Sequence, residues 1–259
     1  MFAINPLYAI AGVAVGLLVG LTGVGGGSLM TPLLVLAFGF HPVTAVGTDL
    51  LYASVTKSVG TAVHRAGGTV DWQIVRRLAL GSVPATVLTL AVLANAGQWL
   101  EATAHIITVT LGLALVATAA AMLFRNRILI HFAPVLDTVS PERIRRLTVI
   151  LGAVLGVLVS LSSVGAGAIG MTVLLLLYPK SPVNRLVGSD IAHAVPLTLI
   201  AGLGHWAMGS VDFGLLASLL VGSIPGVIVG SLISSRVSDT FLRPILAGTL
   251  LVVGGRLIF

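Results

Sequence analysis

The chain has 259 residues, of which 57% are apolar and only 8% charged, with 14 Lys and Arg against 8 Asp and Glu. A soluble protein keeps roughly 25% charged residues to hold a solvated surface, so this composition excludes that class and makes lipid the solvent for much of the exterior. The absence of cysteine excludes disulfides, thiolate metal sites and cysteine nucleophiles. The net charge of +6 sits in short loops between apolar segments, which reads as membrane orientation and not as a nucleic-acid surface.

In chain order, the first half predicts five apolar segments, about Leu7–Leu21, Ser28–Phe38, Val43–His64, Ile74–Ala94 and Thr103–Phe124. No Lys or Arg precedes Lys57, so the first stretch lacks the positive start of a signal peptide and is expected to be retained. A basic connecting loop follows at 125–146. Five more segments come after it, about Leu147–Leu161, Ala168–Tyr178, Val183–His205, Phe213–Ser234 and Phe241–Ile258. The third, fourth and fifth of each half are long enough to cross roughly 30 Å of hydrocarbon. The first two are not, and a second segment of about 11 residues reaches only about 17 Å. A Gly cluster joins the short pair in both halves, which predicts a broken helical hairpin.

The two halves match each other in order. Leu21–Gly27 (LTGVGGG) lines up with Leu161–Gly167 (LSSVGAG) 140 positions later. At a shift of 141, Val46–Asp49 matches Val187–Asp190, Gly68–Asp71 matches Gly209–Asp212, and Gly81–Ala85 matches Gly222–Gly226. The chain is therefore expected to consist of a first transmembrane repeat (1–124), a cytoplasmic loop (125–146) and a second repeat (147–259). If each half crosses the membrane a net odd number of times, the repeats are inverted. One side then collects Arg65, Arg76, Arg77, Arg125, Arg127, Arg143, Arg145, Arg146, Lys180, Arg185, Arg236 and Arg243, leaving Arg256 outside and Lys57 within the membrane. The positive-inside rule prefers this to parallel halves, which would move Lys180, Arg185, Arg236 and Arg243 outside. The expectation is an all-α polytopic membrane protein of two inverted-topology repeats, each a broken hairpin plus three transmembrane helices, with both termini outside.

Inverted repeats with discontinuous helices are the usual architecture of secondary transporters, with the site near the midplane. Here the interruptions, Val24–Ser28 and Val164–Gly167, would each start a short helix inside the membrane. Its free N–H groups and positive dipole end favour an anion. Gly25, Gly26, Gly27, Gly165 and Gly167 would expose backbone to it, and Thr22, Ser28, Ser162 and Ser163 would add hydroxyls. The alternative is that these glycines only let helices pack closely. Lys57 lies inside an apolar run, where a charge is a functional hypothesis by default. Its expected partner is a bound anion, Asp49 or Asp190. Asp49 and Asp190 occupy matched positions, and helix capping or proton coupling is open for both. His193, one turn after Asp190 and matched to Tyr52, is either a proton relay or a hydrogen-bonded core residue. His64 and His205 are expected to cap their helices, and Pro84 and Pro225 to kink the fourth helix of each half.

Three motifs, GVGGGSLMTPLL (Gly23–Leu34), AVGTDLL (Ala45–Leu51) ahead of a Lys-bearing helix, and GSDIAHAVPLTL (Gly188–Leu199), resemble the sulfite exporter TauE/SafE family over nearly the whole chain. The resemblance implies export of a small sulfur-containing anion, such as sulfite or an organosulfonate, across the bacterial inner membrane. The partners expected are this small anion and the lipid bilayer, with a homo-oligomer open, no nucleic acid and no cofactor. An anion channel or uniporter shares every feature named. An intramembrane enzyme is disfavoured, because Ser28 matches Ala168 and the chain has no HExxH signature.

Overall fold

The structure is a computed structural model that describes residues 4–22, 26–95, 100–136, 139–233 and 239–258. The described residues form ten α-helices: α1 (Pro6–Thr22), α2 (Met30–Leu36), α3 (Pro42–Ala66), α4 (Trp72–Asn95), α5 (Leu100–Leu136), α6 (Pro141–Ser162), α7 (Ala168–Leu177), α8 (Val183–Ala207), α9 (Phe213–Ile233) and α10 (Asp239–Ile258). A 3₁₀ turn, Gly26–Leu29, leads into α2. Every predicted apolar segment is a helix, and strands are absent among the described residues. Trp72–Asn95, Ala104–Phe132, Pro141–Ser162, Val183–Ala207 and Phe213–Gly230 have the length and apolarity to cross a bilayer. Leu80, Leu88 and Val92 on α4 and Ile245 and Val252 on α10 leave large apolar surface exposed, as lipid-facing positions do. The chain is an integral membrane protein.

Two elements are longer than their apolar segments. α5 runs past Phe124 to Leu136 because no Gly or Pro lies between Gly112 and Pro134 to stop it. α6 begins at Pro141, a residue suited to a first helical turn, and gains Glu142–Arg146. At 22 residues it is long enough to cross a bilayer, which its apolar part alone is not.

Helices of one half pack on those of the other. α1 lies along α9, α4 along α6, α3 against α8 and α5 against α10. Glycine permits the close approach, and the contacts are reciprocal between matched positions. A Cβ on Gly16 would come within 2.5 Å of Ser223 O, and one on the matched Gly156 within 2.6 Å of the matched Ser82 O. Gly12 likewise meets Leu219 while Gly152 meets Leu78, and Gly222 meets Ala9 while Gly81 meets Val149.

The GTVD and GSVD motifs close this arrangement. Gly68 (φ 65°) and Gly209 (φ 74°) end α3 and α8 in the left-handed region. Asp71 Oδ1 then accepts from Gln73 N–H at 2.9 Å, and Asp212 Oδ1 from Leu215 N–H at 2.9 Å, so these aspartates cap α4 and α9. Their own N–H groups donate across the halves, Asp71 to Ser189 Oγ at 2.8 Å and Asp212 to Thr48 Oγ1 at 3.0 Å. Asp49 and Asp190 are not caps: α3 and α8 begin at Pro42 and Val183, which places both aspartates in the third turn.

Candidate functional site

The helix interruption of the second half is the centre of the site. α6 ends because Ser163 turns left-handed (φ 58°), its N–H still donating to Val159 O at 2.8 Å. That conformation costs a non-glycine residue about 1–2 kcal/mol, and the matched position in the first half is Gly23. Ser162 is engaged locally: its hydroxyl donates to Leu158 O at 2.6 Å and accepts from Val164 N–H at 3.2 Å. Gly165 follows at φ 119°. α7 starts after Gly167, with Gly170 N–H and Met171 N–H bonded back to Gly165 O and Gly167 O. The N–H groups ahead of them have no carbonyl a turn earlier, and Gly165, Ala166 and Gly167 offer almost no side chain to cover them.

In the first half, Gly25 lies outside the described residues. Thr22 is the last residue of α1, and Gly26, Gly27 and Ser28 belong to the 3₁₀ turn, with Ser28 partly buried. The helix that follows, α2, has only seven residues.

Two buried carboxylates flank the second-half interruption. Thr31 Oγ1 on α2 donates to Asp49 Oδ2. The Ser163 hydroxyl sits beside the same carboxylate without hydrogen-bond geometry. Asp190 is 2% exposed and its Oδ1 is buried without a hydrogen-bond partner. Its Oδ1 lies against the first turn of α7, where a Cβ on Gly170 would come within 2.9 Å of it. Lys57 stands in the middle of α3, keeps part of its surface accessible, and interacts electrostatically with Asp190 and Asp49. Among the described residues it forms no ion pair within 4.0 Å. Asp190 thus lies against the start of α7 and faces the charge of Lys57 on α3.

His193 is fully buried, with Nε2 2.8 Å from Ser82 Oγ on α4 and Nδ1 without a partner. At the matched place Tyr52 lies beside Ser223, again without hydrogen-bond geometry. The two other histidines differ from the expected capping. His64 Nδ1 bonds Thr69 Oγ1 at 2.8 Å, and it is Thr69 that closes α3 through its N–H and hydroxyl to His64 O. His205 is buried and reaches Ser160 O at 2.9 Å, fastening α8 to the end of α6.

Thr31 and Ser82 were not singled out by sequence reasoning. A signal for Thr31 existed: it matches Thr172 at the same shift of 141, Thr31 as the second residue of α2 and Thr172 one turn into α7. Thr172 nevertheless donates to Ala168 O at 2.7 Å instead of to Asp190. The arrangement can present backbone N–H groups, a free hydroxyl and an ammonium to a small anion. Its carboxylates oppose that anion unless protonated.

The fold is a bundle of interlocked hydrophobic helices, with a helix interruption beside buried ionisable groups, and the comparisons give its class, a membrane transporter. A family model described as "Sulfite exporter TauE/SafE" matches residues 8–257, and the chain belongs to that family. It is similar to "Probable membrane transporter protein YjnA" of Bacillus subtilis, 40% identical over 248 residues that cover 95% of this chain and 97% of the relative. "Probable membrane transporter protein YdhB" of the same organism is 30% identical over 250 residues, covering 92% and 96%. A probable membrane transporter protein of Methanocaldococcus jannaschii is 25% identical over 266 residues, covering 96% and 93%. The family and these relatives are named as membrane transporters and not as enzymes. No solved structure matches the chain significantly.

Proposed function

We propose that the protein is a secondary transporter that exports a small sulfur-containing anion, sulfite or an organosulfonate, across the bacterial inner membrane. The observation that carries this reading is the glycine-broken start of α7 against Asp190, whose Oδ1 is buried without a partner and whose facing cation is Lys57. The substrate class is supported by the family description.

The two halves are inverted repeats, both termini face the periplasm, and the basic segment 125–146 lies in the cytoplasm. The one-sided distribution of Arg and Lys supports this, and the reciprocal contacts of matched glycines support a two-fold relation between the halves. Transport proceeds by alternating access between the halves. In favour of this, matched groups are engaged differently: His205 holds Ser160 while His64 holds Thr69, and Thr31 holds Asp49 while Thr172 turns to its own helix. A sequence that supports two arrangements at each matched pair is what an exchange between two states needs.

Purified protein in proteoliposomes loaded with sulfite or methanesulfonate is expected to show saturable tracer uptake stimulated by unlabelled anion inside. Flux that does not saturate and is not stimulated would mean a channel. No flux of either anion would end the sulfur-anion reading. A reporter fused to the C-terminus should be periplasmic, and a cytoplasmic one would refute the topology.

A further inference from the structure

Asp49 and Asp190 hold matched positions in the two halves, yet their surroundings are not equivalent. The Asp49 carboxylate has a hydroxyl donor in Thr31 and a second hydroxyl, Ser163, at its side. Asp190 has neither. The threonine matched to Thr31 donates to the backbone of α7. The Oδ1 of Asp190, buried without a partner, makes its ionised form costly. The cation that faces it is Lys57.

Charge counting then separates two states of Asp190. With Asp190 ionised, the carboxylate beside α7 repels an arriving anion. With a proton on Asp190, the carboxyl becomes a hydrogen-bond donor and the site is one charge more positive, whatever the state of Asp49, which also faces Lys57. An arriving anion is therefore favoured by the protonated carboxyl, and the loaded site binds that proton more tightly than the empty one.

We propose that Asp190 is the proton-carrying group of the transporter. One proton binds its carboxylate together with the anion, both cross in the same direction, and both are released on the far side to restore the Asp190 carboxylate. Asp49, fixed by Thr31, keeps its place in the site without exchanging the coupled proton. The proposal rests on the anion-transport reading above and adds to it the coupling ion and the residue that bears it.

The groups facing Asp190 are few. α3 contributes Lys57, which also faces Asp49 of its own helix and His193 of α8, whose Nε2 is engaged by Ser82 of α4. α7 has no titratable residue, and α6 has none after Arg146. On α4 only Arg76 and Arg77 carry charge, near its start, where Arg77 Nη1 donates to Tyr178 OH at 3.2 Å. Lys57 is thus the cation available to answer a change on Asp190.

The test uses the full chain in proteoliposomes loaded with methanesulfonate, whose own charge does not change with pH. Anion efflux is followed by tracer and proton movement by an internal pH dye, with the membrane potential clamped. Wild-type efflux should carry protons out in equimolar amount. In Asp190→Asn the protons moved per methanesulfonate should fall to zero at whatever rate exchange continues, in Asp190→Glu the ratio should stay near one, and in Asp49→Asn protons should still move with the anion. Proton movement that persists in Asp190→Asn, or is absent from a wild type that exchanges anion, overturns the proposal. If the wild type exchanges neither methanesulfonate nor sulfite, the anion reading itself has failed, and that shows before any variant is compared. Should Asp190→Asn not fold, infrared difference spectra decide. Methanesulfonate added to the wild type should raise a protonated carboxyl band that shifts in Asp190→Glu. The lack of such a band overturns the assignment.

Discussion

The substitution Gly81→Ala puts the helix packing to a direct test. Gly81 lies in α4 where it crosses α6, and a Cβ there would stand 2.7 Å from Ala153 N and 2.9 Å from Val149 C, closer still to Val149 O. These are backbone atoms of a helix, so no side chain can rotate away. α4 and α6 would have to separate by about 1 Å along their contact to restore ordinary packing distances. Alanine gains about 0.5–1 kcal/mol of helix stability over glycine, and forced overpacking costs about 1–3 kcal/mol. The clash wins, with a net loss of about 1–2 kcal/mol and a fall in apparent Tm of roughly 2–8 °C. Gly248→Ala on α10 is the control: its Cβ meets nothing within 4 Å, so only the propensity gain remains. The assay is thermal unfolding of both variants in the same detergent, read by fluorescence size exclusion. If the two variants melt alike, the close α4–α6 crossing is wrong.

Other substitutions test the site and its frame. Lys57→Ala should weaken methanesulfonate or sulfite binding at least about tenfold, since a unit charge in a partly buried setting contributes more than about 1.4 kcal/mol. Isothermal titration of wild type and variant measures this, and equal affinities would remove Lys57 from the site. Thr31→Val strips Asp49 of its donor and should destabilise the fold by about 1–3 kcal/mol in thermal unfolding. Thr172→Val, whose hydroxyl only returns to its own helix, should have a smaller effect. Asp71→Ala and Asp212→Ala should each lower stability by about 1 kcal/mol through loss of matched caps. A large difference between them would mean the two turns do not play equal parts.

Much of the architecture was legible because lipid imposes a simple rule. Backbone polar groups must be satisfied within a helix, so each apolar segment predicts one, and each is found. Boundaries were less legible where the helix outlasts the apolar run, as at Arg125–Leu136 and Pro141–Arg146, since the backbone continues until a breaker stops it. The glycine interruption at Gly165–Gly167 and the buried positions of Asp49, Asp190 and His193 were also readable from their pattern. The roles of matched residues were not. Asp49 and Asp190 looked equivalent and open to capping, whereas the capping aspartates are Asp71 and Asp212, which read only as part of a turn motif.

What the sequence determined by itself was the membrane class, the helices, the internal match of the two halves and the residues available for chemistry. Those follow from local properties, hydropathy, chain flexibility and residue order, which act along the chain. Only the tertiary structure decided that Thr31 serves Asp49 while Thr172 turns to its own helix, that His205 fastens α8 to α6, and that the unpartnered Oδ1 of Asp190 lies against the start of α7. The physical reason is that hydrogen bonds and charge pairing depend on ångström-scale distances between residues far apart in sequence. Two matched segments can share every residue type and still be packed into different partnerships.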